Sequence, residues 1–257
     1  MLELFVFIFG LIMGSFLNLL IYRLPKNISL LNPKRSICPK CNYQLKWYEN
    51  IPLISYIFLK AKCSKCNNFI SLIYPIVELF TATVTLFLFF KLGINIDFLI
   101  ILILFYTLIT LSFIDLKYKS VPDYLLLIAL IVAFISSDFS FKNSLIFIGG
   151  IVLLEFFITF YIQNIKSRIL NDDSLKTQKA LGDGDIPIFA IIGGILGVKL
   201  GLFAIFLSTV FAIIPAIYNQ IKKQEIETPF IPFLTLGLLV VYLFDDIVLK
   251  ILGSIVL

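Results

Sequence analysis

Six acids and four cysteines hold the reactive chemistry of this sequence. Glu78, Asp115, Asp123, Glu155, Asp183 and Asp185 fall in or beside apolar stretches. An ionisable group inside a membrane span is costly and is a functional candidate by default. The chain has no His, which excludes imidazole catalysis and His-ligated metals. Acid–base work must then come from Asp, Glu, Lys, Tyr or Cys. Asp115 and Asp123 stand in "IDLKYKSVPDYLL", and Asp183 and Asp185 in "LGDGDIP". If Asp115 and Asp185 share a water, both cannot ionise easily; one stays protonated and the other acts as base. That is the machinery of aspartic proteolysis, with one Asp activating water and the other polarising the scissile carbonyl. Gly182 and Gly184 lack a Cβ, so the backbone there can turn freely or approach a peptide. Pro187 suits the first turn of a helix. Spacing alone leaves an N-cap role open for Asp183 or Asp185. Asp123 follows Pro122 and reads as a capping or orienting residue. Glu78 and Glu155 read as acids satisfied within a helix bundle.

The four cysteines form two pairs, Cys38 and Cys41 in "CPKC" and Cys63 and Cys66 in "CSKC". Each C-x2-C turn offers two sulfurs to one metal, and two such turns close a tetrahedral four-thiolate site. Nearby lysines favour the thiolate form. Zinc is the expected metal, and iron in a rubredoxin-like site is the alternative, because four thiolates do not choose between them. With no open ligand position, the metal reads as a staple for a loop with little core of its own.

Those residues need elements to hold them. The 257-residue chain is 60% hydrophobic and 14% charged, with mean hydropathy +1.03, well beyond a soluble domain. An all-α polytopic membrane protein is expected, with about eight spans at 2–22, 71–90, 98–115, 123–137, 144–163, 186–199, 201–219 and 230–249. The break between the sixth and seventh is set at Gly197–Gly201. The first span carries Glu3 in place of a basic n-region and is expected to stay attached. The expected organisation is a first helix over 1–22, a four-cysteine loop domain over 23–70 and a seven-helix domain over 71–257. Eight spans put 17 Lys and Arg on one side and four on the other, which makes the basic side cytoplasmic. These cations fix topology and touch anionic lipid headgroups. No nucleic-acid partner is expected.

Taken together, the segments resemble the type IV prepilin leader peptidases, bacterial G-x-G-D intramembrane aspartyl proteases. The resemblance rests on "GSFLNLLIYRLP" (Gly14–Pro25), the paired "CPKC" and "CSKC", "SLIYPIVE" (Ser71–Glu78), "IDLKYKSVPD" and "GDGD". It implies cleavage of the basic leader of type IV prepilins or type II secretion pseudopilins, after a Gly on the cytoplasmic face of the bacterial inner membrane. It also implies N-methylation of the new N-terminus with S-adenosylmethionine. The family's catalytic pair falls on Asp115 and Asp185, with Asp123 outside the pair and Asp183 at the variable position. Two departures are visible: Pro187 stands where relatives often carry Lys, and Ile73 where an Arg usually precedes "YP". The methyl-transfer site has no mark of its own in the sequence. Asp172, Asp173, Asp183, Glu49, Glu225 and Glu227 are the acids that could receive a basic leader. The competing reading is a proton- or cation-coupled transporter that relies on Glu155.

Overall fold

The computed structural model describes residues 1–32, 35–170, 173, 176, 182–221 and 229–255. The described chain is helical, as expected, apart from two isolated antiparallel bridges in the four-cysteine loop. It divides into two compact units, Met1–Pro122 and Asp123–Leu257.

The first unit holds α1 (Leu2–Arg23), the short α2 (Ile54–Phe58), α3 (Ile73–Leu92) and α4 (Ile96–Tyr118). Asn95 starts α4: its Oδ1 accepts the Phe98 N–H at 2.6 Å, which satisfies one of the first-turn donors. Lys119 ends it in the left-handed region, with its N–H on the Asp115 carbonyl at 2.9 Å. Helix α1 packs on α3 and α4. The α1–α3 contact is close because Gly10 and Gly14, one turn apart, present bare backbone. A Cβ at Gly10 would sit 2.6 Å from the Ala82 Cα, and one at Gly14 2.6 Å from the Glu78 Cα. Small residues four apart permit this approach between apolar helices. Gly14→Ala should therefore destabilise the protein by about 1–3 kcal/mol, as overpacked contacts do. Gly149→Ala, where a Cβ meets nothing within 4 Å, should not. Thermal unfolding of the two variants in detergent checks the pair; equal melting temperatures would remove the close-approach argument.

The second unit holds α5 (Asp123–Ile135), α6 (Phe141–Phe160), α7 (Ser167–Leu170), α8 (Ile186–Ile221), α9 (Ile231–Leu243) and α10 (Asp245–Ile255). A π-helical turn over Tyr161–Lys166 joins α6 to α7. Helix α8 packs on α5, α6 and α9. It is not straight. Gly197 has φ 70° and ψ −176°, a conformation that only glycine adopts readily. Residues eight apart on a straight helix lie ~12 Å apart, yet Gly193 and Gly201 both lie against the ring of Phe147. The helix kinks at Gly197, and that one aromatic side chain lies against both sides of the break.

Among the described residues, five helical stretches are long and apolar enough to cross a membrane: 2–26, 73–92, 96–118, 141–169 and 186–218. A sixth is counted if α9 and α10, bent by 87°, form one span. The protein is a multi-pass membrane protein, but the expected count of eight is not reproduced. The differences have local causes. Helix α5 has 13 residues, too few to span 30 Å of hydrocarbon at 1.5 Å per residue. The expected spans 186–199 and 201–219 form one helical stretch, broken at Gly197. The expected span 230–249 breaks at Phe244. Its second half starts on the paired acids Asp245 and Asp246.

Candidate active site and metal centre

Asp115 occupies the last turn of α4 and is buried, 8% exposed. It belongs to the first compact unit and Asp185 to the second. Asp185 immediately precedes α8 and is also 8% exposed. Its N–H donates to the Gly182 carbonyl at 3.0 Å, and its own carbonyl accepts from Ile188 and Phe189. "GDGD" is thus a tight turn feeding a helix. The Asp185 carboxylate folds over Gly182, where an added Cβ would lie 3.4 Å from Oδ2. The two acids of this turn differ: Asp183 and Gly182 are exposed, Gly184 is half-buried and Asp185 is buried. Asp123 is exposed, at the first residue of α5. Pro187 sits in the first turn of α8, as its ring favours. Glu155 is half-buried within α6. Asp172, Glu225 and Glu227 lie outside the described residues. Asp173 is described, and pairs with Lys176 at 2.6 Å.

Glu78 has a partner that the sequence did not name. It is 8% exposed near the start of α3, and its Oε2 accepts the Leu53 N–H at 2.9 Å. Leu53 has φ 58° and ψ −47°, a sparsely populated conformation for a residue with a Cβ. A glutamate from an apolar helix thus pins a strained turn of the four-cysteine loop.

The four cysteines meet. All four sulfurs lie within 4.8 Å of one another, with Cys38 to Cys66 at 3.9 Å and Cys41 to Cys63 at 4.0 Å. These separations are far beyond a disulfide of ~2.05 Å. They suit a metal-centred tetrahedron with ~2.3 Å bonds, whose corners stand about 3.8 Å apart. Each C-x2-C turn is built alike. Bridges between Ile37 and Gln44 and between Lys62 and Phe69 close the two hairpins. The Cys38 N–H meets the Tyr43 carbonyl and the Cys63 N–H meets the Asn68 carbonyl, both at 2.9 Å. Asn42 and Asn67 both take positive φ, 55° and 56°, which Asn tolerates better than most residues. The backbone N–H groups of Cys66 and Lys65 draw the Cys63 thiol down to about 7 against the effect of burial. The Asn68 N–H works to lower Cys66 too. Burial and the three neighbouring thiols outweigh it and push Cys66 up to about 11. Four sulfurs in one cluster resist ionising together, and a bound cation would relieve that resistance. The donor set and spacing fit a metal.

Two charged residues that sequence reasoning used only for topology and leader charge prove to be structural. Arg23 is 3% exposed, with Nη1 on the Ser29 and Leu30 carbonyls at 2.8 and 3.1 Å and Nη2 on that of Arg35 at 3.0 Å. No spacing rule announces such a clamp. Glu49 is buried in the loop and accepts the Lys46 N–H at 2.7 Å. Burial works against its ionisation. Hydrogen bonds from Ser64, the Lys46 backbone and Tyr43 outweigh it and hold the carboxyl below the ordinary range. Because Tyr43 follows the first cysteine pair and Ser64 lies inside the second, Glu49 ties the two hairpins together. Glu49→Ala should make the 23–70 segment several-fold more sensitive to protease, and Glu49→Gln less so. Identical digestion rates for wild type and Glu49→Ala would show that the tie contributes nothing.

Comparison with known proteins gives two family matches. Residues 8–92 match the model described as "Bacterial Peptidase A24 N-terminal domain". Residues 102–217 match the model described as "Type IV leader peptidase family". Among curated relatives, the prepilin leader peptidase/N-methyltransferase of Vibrio cholerae is 32% identical over 247 residues, covering 91% of this chain and 94% of its own. Proteins of the same description from Bacillus subtilis and Legionella pneumophila are 29% and 32% identical. They cover 95% and 94% of this chain, and 95% and 91% of their own lengths. No solved structure matches the chain. With helical spans, buried acids at two helix ends and a four-sulfur cluster in place, the chain belongs to the type IV leader peptidase family.

Proposed function

We propose that this protein cuts the basic leader from type IV prepilins or type II secretion pseudopilins, after a Gly, with Asp115 and Asp185 as the catalytic pair. The observation that carries this reading is the selective burial of those two acids at helix ends, while Asp183 and Asp123 beside them are exposed. Family membership supplies the substrate class. In this reading one Asp takes a proton from water as the water attacks the scissile carbonyl, and the other donates a hydrogen bond to the carbonyl oxygen. The tetrahedral intermediate then collapses, and the leaving amine gains a proton from the pair. Gly182 and Gly184 keep the approach open for the peptide backbone.

The names of the relatives support a second step, N-methylation of the new N-terminus from S-adenosylmethionine, which supplies a methyl group on a sulfonium. In that step the new α-amine uses its lone pair to take the methyl carbon, leaves the bonding pair on the donor's sulfur and gives up its proton to water. Cys38, Cys41, Cys63 and Cys66 hold a structural zinc in this reading. The first helix (1–22) and the loop domain (23–70) precede the peptidase domain (71–257). The uneven split of Lys and Arg expected from the eight-span reading supports placing both acids and the loop on the cytoplasmic face of a bacterial inner membrane. The test is purified protein in lipid with a prepilin substrate, read by mass spectrometry. The expected product lacks its leader, cut after Gly, and gains one methyl when S-adenosylmethionine is added. An intact prepilin after prolonged incubation would sink the reading.

A further inference from the structure

The four-cysteine loop carries apolar side chains on its outside. Helix α2 exposes Ile54, Ile57 and Phe58, the last by 82%. Spacings of three and four residues put them on one helix face. The 3₁₀ turn that starts at Trp47 packs on α2, and Trp47 is itself exposed. After α2, Lys60 and Ala61 both take positive φ, 51° and 58°, and turn the chain back into the second cysteine hairpin. The Ala61 N–H meets the Tyr56 carbonyl at 2.9 Å, and the Ile70 N–H meets the Ala61 carbonyl at 2.8 Å. The Tyr56 hydroxyl donates to the Ile70 carbonyl at 3.3 Å. These bonds fasten α2 to the strip that carries the exposed Phe69. A patch of large apolar side chains on a surface marks a contact with membrane or protein.

Glu78 sets the depth of this patch. Helix α3 has 20 residues, about 30 Å of helix, which equals the hydrocarbon thickness of a bilayer. Glu78 is in its second turn and accepts the N–H of Leu53, the residue just before α2, at 2.9 Å. Helical side chains lean toward the helix N-terminus. Helix α2 therefore starts beside the first two turns of α3, where hydrocarbon gives way to headgroups. Those turns expose Ile73 and Ile76, so apolar surface runs on from a membrane span into the loop.

The charge of the loop is one-sided. From Arg35 to Val77 the sequence has six Lys and Arg and one acid, Glu49, and that acid is buried. Lys60, Lys62 and Lys65 follow α2 and are exposed. The Lys62 Nζ lies 5.1 Å over the Phe69 ring. Aromatic rings bordered by lysines are the composition of a segment lying in the membrane interface. A basic leader peptide would meet only like charge there.

We propose that this face of the four-cysteine loop docks on the lipid leaflet beside it. Trp47, Ile57, Phe58 and Phe69 enter the boundary between headgroups and acyl chains, and Lys60, Lys62 and Lys65 meet anionic lipid phosphates. The bilayer then covers the apolar surface that the loop leaves bare, and holds both cysteine hairpins at one height against α3.

Trp47 is the one tryptophan of the chain, so its fluorescence reports this surface. The experiment uses the full-length protein, one copy per nanodisc, in phosphatidylglycerol or in phosphatidylcholine. The acyl chains carry bromine either near the headgroup or near the chain end. Blue-shifted emission, quenched more by the shallow bromine than by the deep one, is expected. Emission of a water-exposed indole with no quenching would overturn the docking. Blue-shifted emission that neither bromine quenches would also overturn it, because protein rather than lipid would then cover Trp47. Ile57→Ser and Phe58→Ser together remove two exposed side chains and should reduce the quenching; an unchanged signal would count against α2 as the anchor and overturn the proposal. Lys60→Gln, Lys62→Gln and Lys65→Gln together should lower the ratio of docked to undocked loop in phosphatidylglycerol, by about fivefold for each cation removed. In phosphatidylcholine the same variant should match wild type. An equal fall in both lipids would show that the lysines serve only the fold of the loop, and would overturn their contact with lipid phosphates.

Discussion

Asp115→Asn and Asp185→Asn should each abolish prepilin cleavage, with rate losses of at least about 10²–10⁴, the range ascribed to one positioned proton-transfer group. Asn matches Asp in size and keeps hydrogen-bonding capacity, so each helix end should survive the change. What Asn cannot do is take up or release the proton. Groups that act as a unit are not additive, so the double variant should be no slower than the slower single. Glu155→Gln should cut at the wild-type rate, because the transporter reading needs that residue and the peptidase reading does not. Asp183→Asn should also cut, since Asp183 is exposed at the variable position of its turn. The measurement is the rate of leader release in membranes with matched enzyme levels. Wild-type cleavage by either single Asp115 or Asp185 variant would remove the pair.

The contrast within "GDGD" shows where sequence reasoning stops. Two acids two residues apart are equivalent to any spacing rule, and either could cap the helix that follows. Only the path of the chain exposes Asp183 and buries Asp185. The cysteines were more legible, because C-x2-C twice over leaves few other uses for four sulfurs. Even so, the likeness of the two hairpins extends beyond the cysteines, to an Asn after each pair and bridges at matching positions. The spans were legible as hydropathy and not as geometry. A window average cannot register the left-handed φ of Gly197 or the bend after Leu243. Glu78 stood out as an acid in an apolar stretch, but its partner lies 25 residues away on a strained turn. No periodicity encodes that contact. Arg23 reads in the sequence as one cation among many, yet the carbonyls of Ser29, Leu30 and Arg35 wrap its guanidinium.

Those contacts also show why a metal matters to this loop. Between Arg23 and the start of α3, the described residues form only two 3₁₀ turns, the five-residue α2 and two isolated bridges. They bury Cys38, Cys63 and Glu49, but leave Leu31, Trp47, Ile57, Phe58 and Phe69 more than 70% exposed. A segment this size with so little apolar core cannot offset the entropy of ordering it. The Glu78–Leu53 bond and the bonds that Glu49 accepts from Lys46, Ser64 and Tyr43 help, but a hydrogen bond to a charged group is worth only roughly 1.5–3 kcal/mol. Apparent binding free energies of structural zinc in small domains reach about 10–16 kcal/mol, enough to decide whether the loop is folded.

Cys41→Ser should therefore lower bound zinc, measured by atomic emission on purified protein, from about one ion per chain to near none. A hydroxyl is a far weaker ligand than a thiolate, and three sulfurs leave the tetrahedron open. The same variant should make 23–70 readily digestible, as should prolonged treatment of wild type with a strong chelator. The apolar helices, whose backbone bonds are internal, should resist digestion in both cases. Loop digestion should thus track zinc loss while the helical far-ultraviolet signal is nearly unchanged. Iron in place of zinc would show as visible absorbance and a different metal count. That result would keep the four-sulfur site and change only its occupant. Unchanged metal content in Cys41→Ser, or a digestion rate indifferent to the chelator, would refute a metal-stapled loop. The close sulfur spacing would then have to be ascribed to packing of the two hairpins through Glu49, Tyr43 and Ser64 alone.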